Sequence, residues 1–65
     1  MKTFKFKVMG SSAIEFANKT YYPKDTIYTI DYKEVNEQKL LKNEVDKNNK
    51  YFQQYNIDGK IEIIE

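Results

Sequence analysis

Neither cysteine nor histidine occurs in this 65-residue chain, and that double absence limits what it can fold into more than any motif does. A domain of this size buries only about 60% of the surface its unfolded chain exposes. Its net stability is expected at roughly 3–10 kcal/mol. Domains near that limit usually lean on disulfides, a metal or a partner chain. Without Cys there is no disulfide, and without Cys or His there is no structural zinc site of the usual kind. A compact core or self-association remains, so a homo-oligomer is expected on physical grounds. The length allows a single domain, residues 1–65.

The same absence bears on chemistry. General acid–base catalysis near neutral pH usually uses His, and a Ser–His or Cys–His nucleophile cannot be assembled. Ser11 and Ser12, the only serines, sit beside Gly10 in a turn-like stretch. With Gly10 and Gly59 alone there is no glycine-rich phosphate loop. The run Asp46-Lys47-Asn48-Asn49-Lys50 lacks the central Gly and closing Glu of a calcium loop. Glu15, Asp25, Asp31, Glu62 and Glu65 supply carboxylates, but a glycosidase pair must face across a cleft, for which so short a chain has little room. They are read as solvated surface. The sequence thus reads as a non-enzyme with no cofactor and no metal.

Eleven Lys and no Arg stand against ten acidic residues, for a net charge of +1 at pH 7. The two signs are interleaved, so no strong long-range field forms, and the bidentate Arg fork that reads base edges is missing. Both observations argue against nucleic acid as the partner. Abundant Lys, Asn and Ile match AT-rich codon usage. No apolar run approaches the ~20 residues of a membrane span. Met1 to Gly10 alternates Lys with apolar residues, unlike the unbroken apolar block of a secretory leader. A cytoplasmic location within some host is expected.

Hydrophobic periodicity gives the elements. Phe4, Phe6 and Val8 fall on one face and Lys5 and Lys7 on the other, the alternation of a half-buried strand. Ile14 and Phe16 repeat it, and Asn18-Lys19 predicts a tight hairpin turn toward Thr20-Tyr21-Tyr22. Tyr22-Pro23-Lys24-Asp25 predicts a second turn, and Thr26–Ile30 a β-branched, aromatic strand. Asp31 and Glu34 have the spacing of a capping box. A helix is expected over about 33–46, ended by Asn48-Asn49, with Val35, Leu41 and Val45 packing on Phe4, Phe6, Val8 and Ile30. Residues 51–55 suit a final helical turn or an extended arm. Asp58-Gly59 signals a turn, and Lys60–Ile64 a last strand. The fold class is α+β, a small mainly antiparallel sheet of four or five strands with one helix. The N-terminal strand and the strand Lys60–Ile64 are the candidate sheet edges.

Six Tyr and four Phe make up 15% of the residues, more Tyr than so small a core can hold with every hydroxyl satisfied. Some line the core rim. Others suit a protein interface, where aromatics are enriched, or stacking on single-stranded bases beside Lys. The candidate interface residues are Tyr21, Tyr22, Tyr28, Tyr51, Phe52 and Tyr55.

The run Lys19-Thr20-Tyr21-Tyr22-Pro23-Lys24-Asp25-Thr26-Ile27, followed by a short helix, resembles small tailed-bacteriophage head or tail accessory proteins with a strand, a Tyr-x-Pro-Gly-Asp-x-Ile hairpin and a second strand. The similarity covers residues 4–41, with Lys24 in place of the pattern's Gly and a longer tail after Val45. The resemblance implies an SH3-like or hairpin-rich fold and no catalytic residue. It also implies a place in a virion, as a capsid-decorating, head-completion or tail component docked on a larger phage structural protein. A small inhibitor or regulator of a host protein is the alternative, and a nucleic-acid-binding β module using Lys5, Lys7 and Tyr a third.

Overall fold

The computed structural model describes residues 2–64. Five strands and one helix follow in the order β1 (Lys2–Gly10), β2 (Ile14–Phe16), β3 (Lys19–Tyr21), β4 (Tyr28–Tyr32), α1 (Val35–Gln54) and β5 (Gly59–Ile64). This is the expected α+β class. The strands divide between a three-stranded sheet of order β4-β1-β5 and a two-stranded hairpin, β2-β3, and every pairing is antiparallel.

The alternation in β1 organises the molecule. Phe4, Phe6 and Val8 are buried, and their direct partners Ile30, Tyr28, Ile63 and Ile61 lie on the same face. Helix and hairpin supply Val45, Phe52, Ile14 and Phe16 to complete the core with Tyr32. Each buried side chain of this size contributes about 1.5–3 kcal/mol by leaving water. The opposite face carries Thr3, Lys5, Lys7, Met9, Thr29, Asp31, Lys60, Glu62 and Ile64, as the two-residue period requires. Since β1 lies between β4 and β5, the N-terminal strand is not an edge. That expectation is corrected, because alternation reports which face is buried and not which neighbours a strand has.

The β2-β3 turn forms where expected, one residue earlier, at Ala17 and Asn18 with φ of 51° and 63°. Positive φ at both central residues gives the hairpin the twist of its flanking strands. Ala17 carries a Cβ into a region that costs about 1–2 kcal/mol, and its N–H donates to the Glu44 carboxylate on the helix at 2.9 Å. Residues 22–27 form an irregular connection, without the regular turn expected at Pro23, and β4 begins two residues later than Thr26. Lys7 Nζ reaches Asp25 Oδ1 at 3.4 Å across it.

The helix starts and ends later than the sequence suggests. Glu34 caps it, and the Glu37 carboxylate accepts from the Lys33 N–H at 2.7 Å and the Glu34 N–H at 3.4 Å. The capping box is therefore Glu34–Glu37. Asp31 instead belongs to β4 and accepts from the Thr3 hydroxyl at 3.2 Å. Asn48-Asn49 does not end the helix, which runs to Gln54. Asn48 Nδ2 donates to the Glu44 carbonyl one turn back at 3.0 Å, a bond compatible with the helix, and Asn49 is bonded elsewhere, so neither side chain draws the backbone into a non-helical turn. Beyond them Phe52 is buried on the same side as Val45, and that burial outweighs weak local propensity. The helix closes in a Schellman motif. Asn56 takes φ 52°, its N–H donates to the Gln53 carbonyl at 3.4 Å, and the Ile57 N–H donates to the Phe52 carbonyl at 2.9 Å. Val35 is 51% exposed and does not join the core, whereas Val45 is buried and Leu41 packs against it.

Candidate protein-docking surface

The six aromatic candidates separate into three places. Tyr21 and Tyr28 extend the core aromatics outward. Their rings meet edge-to-face at 4.9 Å, and each also contacts Phe6, at 5.0 Å for Tyr21 and 5.6 Å for Tyr28. The Tyr28 hydroxyl donates to the Tyr22 carbonyl at 2.7 Å. Burial, and then the neighbouring Tyr28, raise the Tyr21 phenol above its ordinary 10.0. Both residues are half-buried and satisfy the rim of the core, while the adjacent Tyr22 side chain is 64% exposed. Phe52 is 6% exposed and belongs to the core. Its inclusion among interface residues is corrected, because the helical register that exposes Tyr51 and Tyr55 turns Phe52 inward against Gly59.

Tyr51 and Tyr55 form the second exposed group. One helical turn apart, their ring centroids lie 4.8 Å from each other, and they are 52% and 59% exposed. Three turns toward the helix start, Leu40 is 67% exposed. At 100° per residue Leu40, Lys47 and Tyr51 fall within one narrow stripe, well away from the side carrying Val45 and Phe52. Leu40 was not among the sequence candidates. Its eleven-residue spacing from Tyr51, close to three whole turns, is the signal that would have found it.

The Lys-bearing face of the large sheet has a different character. Lys5, Lys7 and Lys60 alternate there with Thr3, Asp31 and Glu62, and none of its strand residues is aromatic. The pleat that exposes the lysines turns the β1 and β4 aromatics to the other side, so this face offers no platform for stacking bases. Among the described residues no cluster of three or more carboxylates is gathered as a metal site, and no helix is long and apolar enough to cross a membrane.

The two outer edges of the sheet complete the surface. On β5 the Asn49 carboxamide bonds both main-chain groups of Ile61, donating to its carbonyl at 3.0 Å and accepting from its N–H at 2.8 Å. On β4 the flanking residues Thr29 and Asp31 are exposed. Beside β4, Ile30, Tyr32, Leu40 and Leu41 line an open groove of about 480 Å³ that ends at the Ala17-Asn18 turn. No family model, curated protein or solved structure matches the chain.

Proposed function

We propose that this protein is a non-catalytic docking module that binds a larger protein through the outward helix stripe, with Tyr51 and Tyr55 as its anchors. The observation that carries the reading is the pair of contacting, half-exposed tyrosine rings, Tyr51 on the outward side of the helix and Tyr55 at its C-cap. Large aromatic side chains at the centre of an interface commonly dominate binding energy, and a rigid helix presents them at low entropic cost. In its narrower form the partner is a bacteriophage structural protein. Support for that setting is the resemblance of residues 19–27 to head and tail accessory proteins, together with the Lys-rich, Arg-free composition.

The test uses the full chain as bait in a lysate of the source cells, with the double variant Tyr51→Ala/Tyr55→Ala beside it. The expected result is at least about tenfold weaker capture of a specific partner by the variant, with thermal unfolding unchanged. Parallel loss of binding and stability would make the two tyrosines core residues and overturn the reading. Mass spectrometry of purified particles tests the narrower form, which requires this chain at a fixed copy number per virion.

A further inference from the structure

The bonds at Ile61 fix the direction of every main-chain group in the large sheet. Because Asn49 takes both groups of Ile61 from the helix side, Ile61 points away from β1, and its partner Val8 points away from β5. Main-chain direction alternates along a strand, so Phe6 and Phe4 also point toward β4, where they face Tyr28 and Ile30. The residues between those, Thr29 and Asp31, therefore turn their N–H and C=O groups outward. Among the described residues, no backbone hydrogen bond outside the regular elements reaches them, and β4 is the last strand of its sheet.

The sequence of that edge is self-complementary. Tyr28-Thr29-Ile30-Asp31-Tyr32 reads alike in both directions by side-chain class, with an aromatic at each end, a polar residue inside each and Ile30 at the centre. We infer that β4 pairs antiparallel with β4 of a second copy about a twofold axis through Ile30. Thr29 of each copy then faces Asp31 of the other, and these are the residues with free main-chain groups, so each pair exchanges both N–H···O=C bonds. On the outer face the Thr29 hydroxyl meets the Asp31 carboxylate and no like charges oppose. On the inner face Tyr28 faces Tyr32 and Ile30 faces Ile30. A one-residue slip would place inward-pointing groups opposite outward ones and lose the ladder. The pairing joins two three-stranded sheets into one, with twofold symmetry as in most homodimers.

Sedimentation equilibrium of the unaltered protein, from about 1 μM to about 1 mM, tests the association, and a monomer throughout overturns it. Amide exchange on the same samples tests the location. Thr29 and Asp31 amides are expected to slow at least tenfold at the high concentration, and unchanged exchange there overturns the β4 interface even if a dimer forms. The chain has no cysteine, so Ile30→Cys supplies a third arm. Across a non-hydrogen-bonded antiparallel pair the Cα atoms lie about 4.5 Å apart, within disulfide reach. Mild oxidation is expected to link Ile30→Cys dimers and not Lys50→Cys ones, and equal linking of both counts against the register. The Tyr51→Ala/Tyr55→Ala protein should dimerise like the parent, which separates failure of this proposal from failure of the docking stripe.

Discussion

The two edges of the three-stranded sheet are built from similar strands and end in opposite states. β5 presents Ile61 to the helix, and one carboxamide from Asn49 fills both hydrogen-bonding positions that Ile61 would offer a further strand. β4 presents Thr29 and Asp31 to solvent, with no further strand across from them among the described residues. The contrast shows that edge availability is set by which side chain the neighbouring element carries at the right turn, and backbone pairing alone would not distinguish the two. An unguarded edge is a template for another chain. Here the guard sits on the side where the helix runs and is missing on the side where the helix begins.

Three perturbations sharpen that contrast, in order of expected size. The largest is Gly10→Ala, on the β5 side. Gly10 has φ +96°, and a Cβ there would lie 2.5 Å from the Asp58 carbonyl oxygen, beside the bond that ties the Ser11 N–H to that carbonyl at 3.0 Å. Strain and overlap together are expected to cost about 3 kcal/mol in denaturant unfolding, enough to unfold a large share of so small a domain. A stable Gly10→Ala protein would show that the β1–β5 junction is looser than its geometry. Next is Asn49→Ala, which opens the β5 edge directly. Losing two part-buried bonds is expected to cost about 1–2 kcal/mol, read as a lower Tm, and to accelerate amide exchange at Ile61. An unchanged Ile61 amide would mean the carboxamide is not what closes that edge.

The smallest effect lies at the β4 end. Backbone N–H groups of Lys33, then of Glu34, hold the Glu37 carboxyl below its ordinary 4.5. A carboxyl lowered in the fold stabilises it above the unfolded value and stops doing so as pH falls through the folded value. Stability should therefore decline on acidification from about pH 5 downward, with a shallower decline for Glu37→Gln, measured by Tm against pH. Glu37 is exposed, so the difference should shrink further in high salt. Identical profiles for the two proteins would remove Glu37 from the account of how β4 hands over to the helix.

How much of this was legible in the sequence depends on the range of the signal. Phe4, Phe6 and Val8 announced a strand and its buried face, and Asn18 marked a turn within one residue of where it forms. The strand order was not legible. Lysines on one side of β1 suit a central strand with a solvated face as well as an edge, and only the partners of Lys2–Gly10 decide between them. The second half of the helix was hidden for another reason. Asn48-Asn49 reads as a stop when judged by local propensity, yet Asn49 is used across the fold by a strand twelve residues on. The spacing of Leu41, Val45 and Phe52 carried the missing information, since all three fall on one helical side. Of the six aromatic candidates, Tyr51 and Tyr55 are exposed, Phe52 is not, and that distinction follows from the same spacing once the helix is extended to Gln54.

Asn49 also bears on how far the inferred pairing could proceed. A sheet open on both sides would accept one copy after another, and each addition would leave a fresh site for the next. With both Ile61 groups taken by one carboxamide, a strand arriving on that side would lose two of its hydrogen bonds, so the inferred pairing through β4 would favour a closed pair of copies over continued growth.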